Sequence, residues 1–129
     1  MNIFIVNQNP ESNYNDSEGE FYNYPTSIPN GKQVAVGDLL LFLLSSKSAS
    51  KMNLGEFRIT GISKIDNITY YNQFEKPMAI ASYEWYKKFK SPLSFEQIGG
   101  EPRINIQHSI NKILQERHIE ILSKVIHNI

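Results

Sequence analysis

The stretch VGDLLLFLL, residues 36–44, decides the fold of this 129-residue chain. Gly37 and Asp38 form a turn signal, and six apolar residues follow them without a polar interruption. An apolar run of that length, bounded by turn residues, is typical of a buried β-strand. We therefore expect residues 39–44 to cross a sheet in the core of a β-rich domain.

Other segments on both sides of this strand also have strand character. Pro25 and Pro29 exclude a helix interior where they stand, because proline lacks the N–H donor and clashes with the preceding turn. Gly61 interrupts an alternating segment, which indicates a bulge or a barrel corner. Residues 77–89 follow no single period and fit a strand, a short helix or both. The strand candidates are residues 3–6, 20–29, 56–65 and 68–74.

The C-terminal segment, residues 117–129, has the clearest helical spacing. Its predicted apolar face consists of Ile119, Leu122, Val125, Ile126 and Ile129. Ser109 is expected to cap a preceding turn that contains Ile110, Ile113 and Leu114. Five or six short strands with one terminal helix predict an α+β fold, in which a small curved β-barrel is buttressed by the helix. At this length the chain is expected to be a single domain, residues 1–129.

Composition excludes several classes of protein. There is no cysteine, so disulfides, thiolate catalysis and cysteine-ligated zinc are excluded. The longest apolar run is far shorter than the roughly 18 residues of a membrane span. Residues 1–9 have no basic lead and no cleavage signature, so they are not expected to be a signal peptide. We expect a soluble, cytoplasmic protein that needs no cofactor and no metal and that does not bind membranes.

The formal net charge is zero, from 13 basic and 13 acidic residues. This is not the charge of a strong, non-specific nucleic-acid binder. Three lysines nevertheless cluster at Lys87, Lys88 and Lys90. Such a cluster is more typical of a solvated surface, but it can also form a local phosphate-binding patch.

Little in the sequence points to catalysis. No nucleophile elbow and no phosphate-binding glycine loop is present. His118 and His127 lie on or near the predicted helix, and His108 follows a turn; all three are expected to be surface or packing residues. We therefore expect a binding domain and not an enzyme.

Two segments together resemble the central signature of PUA-like domains, the group that includes the EVE, YTH and ASCH families. They are residues 36–42, VGDLLLF, and residues 57–65, FRITGISKI. Residues 105–113 are similar to the end of EVE-like modules found at the N-termini of modification-dependent restriction enzymes. The resemblance implies a PUA-like or EVE-like barrel that accepts one flipped, modified base in an aromatic pocket.

For this chain the resemblance implies a nucleic-acid partner, DNA in preference to RNA, and an association or fusion with a nuclease or NTPase of a restriction-modification system. Tyrosine and tryptophan suit the pocket walls because their faces stack on a base, although many tyrosines simply cover a sheet. The candidate walls are Tyr22, Tyr24, Tyr70, Tyr71 and Trp85. The candidate base-edge readers are Ser27, Asn30 and Gln107. The candidate phosphate contacts are Lys87, Lys88, Lys90 and Arg103.

Two alternatives stay open. The C-terminal helix and the aromatic surface would dock a protein partner in an interaction module without a nucleic-acid ligand. An ASCH-type hydrolase acting on small substrates would instead need a lysine and a carboxylate in the pocket, for which Lys64 or Lys32 with Glu56 are the candidates.

Overall fold

A computed structural model of the chain describes residues 1–8, 20–44, 58–94 and 109–129. Within these ranges the chain forms six strands, a short 3₁₀ turn at Gln115–Arg117 and one α-helix, α1. The elements are β1 (Ile3–Gln8), β2 (Phe21–Pro25), β3 (Leu39–Leu44), β4 (Arg58–Gln73), β5 (Lys76–Ser94), β6 (Ile110–Lys112) and α1 (His118–Ile126). The predicted combination of a small curved sheet with a C-terminal helix is confirmed.

The strands form a single sheet in the order β2-β5-β4-β3-β1-β6. β1 and β3 run parallel, and the other neighbours are antiparallel. All six residues of β3 are buried. Leu39, Leu41 and Leu43 pack on one face of the sheet, while Leu40 and Phe42 pack on the other. The apolar run of β3 is therefore uninterrupted because both faces of the sheet are covered.

The turn before β3 is held by the carboxylate of Asp38. One oxygen accepts a hydrogen bond from the backbone N–H of Asn2, and the other accepts from that of Ala35, each at 2.9 Å. Gly37 has a φ of 91°, which a side chain would disfavour. Its N–H donates to the carbonyl of Ile65 at 2.8 Å. The Gly-Asp pair thus joins the start of β3 to the chain's N-terminus and to β4.

The sheet curls into a half-barrel whose two edges face one interior. Tyr22 and Tyr24 of the edge strand β2 and Ile110 of the opposite edge strand β6 belong to one buried cluster. The side chain of Asn30, in the turn after β2, donates a hydrogen bond to the carbonyl of Ile110 at 3.0 Å. We call this side of the sheet the concave face. The other side, where Ile121 and Val125 of α1 pack, is the helix-covered face.

The sequence predicts two separate strands at 56–65 and 68–74, but Arg58–Gln73 is one continuous strand, β4, which forms a long hairpin with β5. Phe74 and Glu75 connect them with φ values of 49° and 65°, which is typical of a two-residue type I′ turn. The ambiguous residues 77–89 belong entirely to β5. The hairpin contains several register shifts, and one of them, at Glu84, determines which aromatic side chains face the interior.

The helix differs from its prediction in length and in buried face. α1 covers nine residues, and its buried residues are Ile121 and Val125. Ile119 and Ile126 are 86% and 67% exposed, although both were expected on the packed face. The segment that begins at Ile110 is the edge strand β6 and not a capped helical turn. The apolar face of α1 is therefore wider than the part of it that packs on the sheet.

Candidate aromatic site on the concave face

A bulge in β5 sets which aromatic residues face the interior. Glu84 is an extra residue in the pairing with β4, so the alternation of side chains changes phase at this point. Tyr83, before the bulge, and Tyr86, after it, both pack on the concave face. Trp85, which follows the bulge directly, packs on the helix-covered face instead.

Three rings meet on the concave face, and we call them the aromatic trio. Phe42 of β3 lies 5.7 Å from Tyr83 and 5.7 Å from Tyr86, measured between ring centroids, and is edge-on to both. The two tyrosine rings lie 6.4 Å apart and within 21° of parallel. Phe42 is buried, whereas both tyrosines remain partly exposed. Tyr83 and Tyr86 therefore present two nearly parallel rings to solvent, and the buried ring of Phe42 lies behind them.

The floor of the trio is formed by β4. Gly61 pairs with Phe42, and Ser63 pairs with Tyr86. A Cβ atom at Gly61 would lie 3.0 Å from the hydroxyl of Tyr86 and 2.9 Å from the carbonyl of Lys87. Only glycine therefore lets the Tyr86 ring lie where it does, which is a second role for a residue that the sequence marks only as a bend.

Lys88 lies beside the trio. It pairs with Gly61 and is two residues beyond Tyr86, so it shares the concave face and is exposed. Lys87 pairs with Ile62, which packs on the helix-covered face, so the side chain of Lys87 points away from the trio. The backbone N–H of Lys90 donates to the carbonyl of Asn128 at 2.8 Å, beside the end of α1. The three lysines are thus divided between surfaces.

The predicted pocket walls are not brought together. Tyr22 and Tyr24 stack on each other with centroids 5.2 Å apart, and both are buried in the concave core. Tyr70 lies in the same row of the sheet as Tyr24 and is 64% exposed. Tyr71 takes the alternate face, where its hydroxyl donates to the side-chain oxygen of Asn23 at 2.7 Å. Since Trp85 packs on the helix-covered face, the set of five does not form one pocket.

The predicted base-edge readers also separate. Asn30 uses its amide group to connect the turn to β6, and its side-chain oxygen accepts from Gln33 at 3.1 Å, so both ends of the amide have structural partners. Ser27 is exposed in the turn after β2. Gln107 and Arg103 lie outside the described residues, as do Glu56 and His108.

The candidate groups for catalysis do not converge within the part of the chain that the structure describes. Lys64 forms a salt bridge with Glu84, with 3.3 Å between nitrogen and oxygen, and Lys32 is exposed. The Nδ1 atom of His127 lies 2.7 Å from the carbonyl of Ser123, one turn earlier in the helix. Nowhere in the described ranges do three or more histidine, aspartate or glutamate side chains gather as a metal site would require.

A shallow cleft of about 470 Å³ lies at the C-terminal end of α1, away from the trio. It is lined by Leu93, Ser123, Lys124, His127 and Asn128. No helix in the described ranges is both long enough and apolar enough to cross a bilayer.

No sequence pattern groups Phe42, Tyr83, Tyr86, Gly61 and Ser63 together. The tyrosines stand out in the composition, but their common face depends on a bulge that no residue pattern predicts.

Comparison of the chain with protein-family models and with curated proteins gave no match.

Proposed function

We propose that this chain is a nucleic-acid-binding module of PUA-like type that holds one unstacked base against Tyr83 and Tyr86, with Lys88 at a neighbouring phosphate. The observation that carries the proposal is the aromatic trio: two partly exposed, nearly parallel tyrosine rings on the concave face, 6.4 Å apart, beside an exposed lysine. The curled half-barrel with its C-terminal helix supports the PUA-like assignment at the level of architecture.

The energetics of stacking indicate how such a site would work. Each base–aromatic contact contributes roughly 1–3 kcal/mol, and taking a base out of a duplex costs a few kcal/mol. The stacking energy of two rings is therefore about enough to offset the cost of extruding one base from a duplex. A mismatched, damaged or single-stranded base is held more tightly, because less stacking and pairing is lost.

A titration of labelled oligonucleotides tests the proposal. Fluorescence anisotropy is measured with matched duplexes and single strands whose central base is unmodified or is a methylated cytosine or adenine. Tyr83→Leu and Tyr86→Leu are each expected to weaken binding by roughly 5- to 150-fold, which is the stacking energy of one ring.

Tyr70→Leu is the matched control. Tyr70 is opposite Ala79, four residues before Tyr83 along β5, which is about 13 Å at the rise of a strand. It lies on the same face as the trio but is remote from it, so its affinity should equal that of the wild type. Equal losses in all three variants, or none, would refute the proposal.

A protein-interaction module is the second candidate, and the exposed apolar residues of α1 favour it. Ile119 and Ile126 are largely uncovered, and Phe74 at the hairpin tip is 95% exposed. Isoleucines one heptad apart on one helix face are typical of helix–helix contacts. If this is the function, Ile126→Gln abolishes association with the partner, while Tyr86→Leu leaves it unchanged.

A further inference from the structure

The hydroxyl of Ser63 lies at the centre of the floor of the aromatic trio. Ser63 pairs with Tyr86 on one side and with Leu40 on the other, and both of these residues pack on the concave face. Its neighbours on the same face of β4 are Gly61, opposite Phe42, and Ile65, opposite Tyr83. The sheet register therefore places Ser63 on the same face as the three aromatic residues and between their positions.

This hydroxyl is buried and has no hydrogen-bond partner among the described residues. Ser63 is 0% exposed, and its Oγ is one of three such atoms in the described chain. A buried polar group without a partner is destabilising, and such groups are rare in folded proteins. Alanine would fit the same space without the cost of burying an unpartnered hydroxyl. Packing alone therefore does not explain a serine at this position.

The position of Tyr86 indicates where a partner would enter. The Tyr86 ring leans over Gly61, since a Cβ there would lie 3.2 Å from its Cε2 atom and 3.0 Å from its hydroxyl. Tyr83 is on the other side of Ser63, opposite Ile65. The two partly exposed rings thus lie on either side of the serine. A planar ligand inserted between them would bring one of its edges to the Ser63 hydroxyl.

We infer that Ser63 is a specificity-determining residue, whose hydroxyl forms a hydrogen bond with a polar edge atom of a heteroaromatic ring held between Tyr83 and Tyr86. The inference rests on the proposed function and goes beyond it by naming the group that distinguishes one base from another. Rings stack on every base because every base has a π-face. A hydroxyl can donate or accept one directed bond, so it favours bases that present a nitrogen or oxygen at that edge.

The test measures base preference, defined as the ratio of the dissociation constants for the weakest and the tightest central base. The bases compared are A, C, G, T, 5-methylcytosine and N6-methyladenine, each in the same single strand. Ser63→Ala is expected to reduce this ratio by roughly 2- to 12-fold, the contribution of one hydrogen bond. Its melting temperature should equal or exceed that of the wild type.

Ser82→Ala is the matched control. Ser82 is in the neighbouring strand β5, and its hydroxyl already donates to Asp66 at 2.9 Å. It follows Ala81, which packs on the concave face, and so takes the opposite face. The preference ratio of this variant should not change.

The outcomes separate the inference from the proposed function. If Ser63→Ala keeps the full preference while Tyr86→Leu still weakens binding, Ser63 has no part in specificity and the proposed function stands. A melting temperature several degrees lower in Ser63→Ala means that the hydroxyl has a partner in the protein, which also overturns the inference. If the wild-type protein shows no base preference and Tyr86→Leu changes nothing, both proposals fail.

Discussion

The hydroxyl of Tyr24 lies in the concave core without a hydrogen-bond partner among the described residues. Burial raises the pKa of this phenol far above its usual value, with smaller contributions from Tyr70 and Asp38. The folded protein therefore retains the proton at a pH where the unfolded chain loses it. By linkage, the contribution of this group to the free energy of unfolding is constant below about pH 10 and falls as the pH rises above that value.

Tyr24→Phe tests this interpretation. At pH 7 its free energy of unfolding, from urea titrations, should be equal to or slightly above that of the wild type, because the variant loses only an unpartnered hydroxyl. Above pH 10 the variant should lose less stability than the wild type. Tyr70→Phe, which removes an exposed hydroxyl, should stay within about 0.5 kcal/mol of the wild type at pH 7. A loss above about 1 kcal/mol for Tyr24→Phe at pH 7 would contradict the account.

Single residues were predictable where their role is local. Gly37 and Asp38 form the predicted turn because Gly37 has a positive φ and Asp38 accepts a hydrogen bond from Ala35, three residues earlier. Trp85 and Tyr71 were predicted as pocket walls but lie on other surfaces. The side on which each ring lies depends on the strand that pairs with it, and residue type carries no information about that.

At the scale of elements, β1, β2, β3 and β4 were predictable as strands from apolar and aromatic runs, whereas β6 and the phase of β5 were not. Residues 77–89 follow no single period because the bulge at Glu84 moves Tyr86 to the face that Trp85 would otherwise occupy. Side chains alternate between the two faces of the sheet both before and after the bulge, but in opposite phase. A count of apolar spacing over residues 77–89 therefore combines two opposite phases and shows no single period.

The turn between β4 and β5 is expected to be replaceable. Phe74 and Glu75 both have positive φ, which costs a residue with a side chain roughly 1–2 kcal/mol, whereas Asn-Gly suits a type I′ turn. Phe74→Asn combined with Glu75→Gly should raise the melting temperature by a few degrees. Oligonucleotide affinity should not change, because the tip is nine residues from Tyr83, about 30 Å along the strand. A change in affinity would place the tip in the binding surface.

The two sides of α1 are expected to respond differently to substitution. Ile121 is buried against the sheet, and Ile121→Ala should lower the free energy of unfolding by about 2–5 kcal/mol. Ile119→Gln, on the exposed side, should change it by less than about 0.5 kcal/mol. Denaturant titrations compare the two. A large loss for Ile119→Gln would show that this residue is covered in the folded protein.

At the scale of the whole molecule, the curved sheet and its C-terminal helix were predictable because β3 and the helix carry strong local patterns. The site was not, since it depends on how the sheet curls. The concave face exists because β2 and β6 at opposite edges share one core through Tyr22, Tyr24 and Ile110. The hydrogen bond from Asn30 to the carbonyl of Ile110, which closes this face, joins residues 80 positions apart, and no sequence window contains it.

The central claim is that the concave face binds nucleic acid, and Lys87 and Lys88 provide its most direct test. The two lysines are adjacent, equally charged and both exposed, but only Lys88 shares a face with the trio. Affinity for a single-stranded oligonucleotide is measured at several salt concentrations for Lys88→Ser and for Lys87→Ser. Lys88→Ser is expected to reduce the magnitude of the negative slope of log K against log salt by about 0.7, the value for one phosphate contact on a single strand, while Lys87→Ser leaves the slope unchanged. Equal slopes in the two variants, or a larger loss in Lys87→Ser, would contradict the central claim.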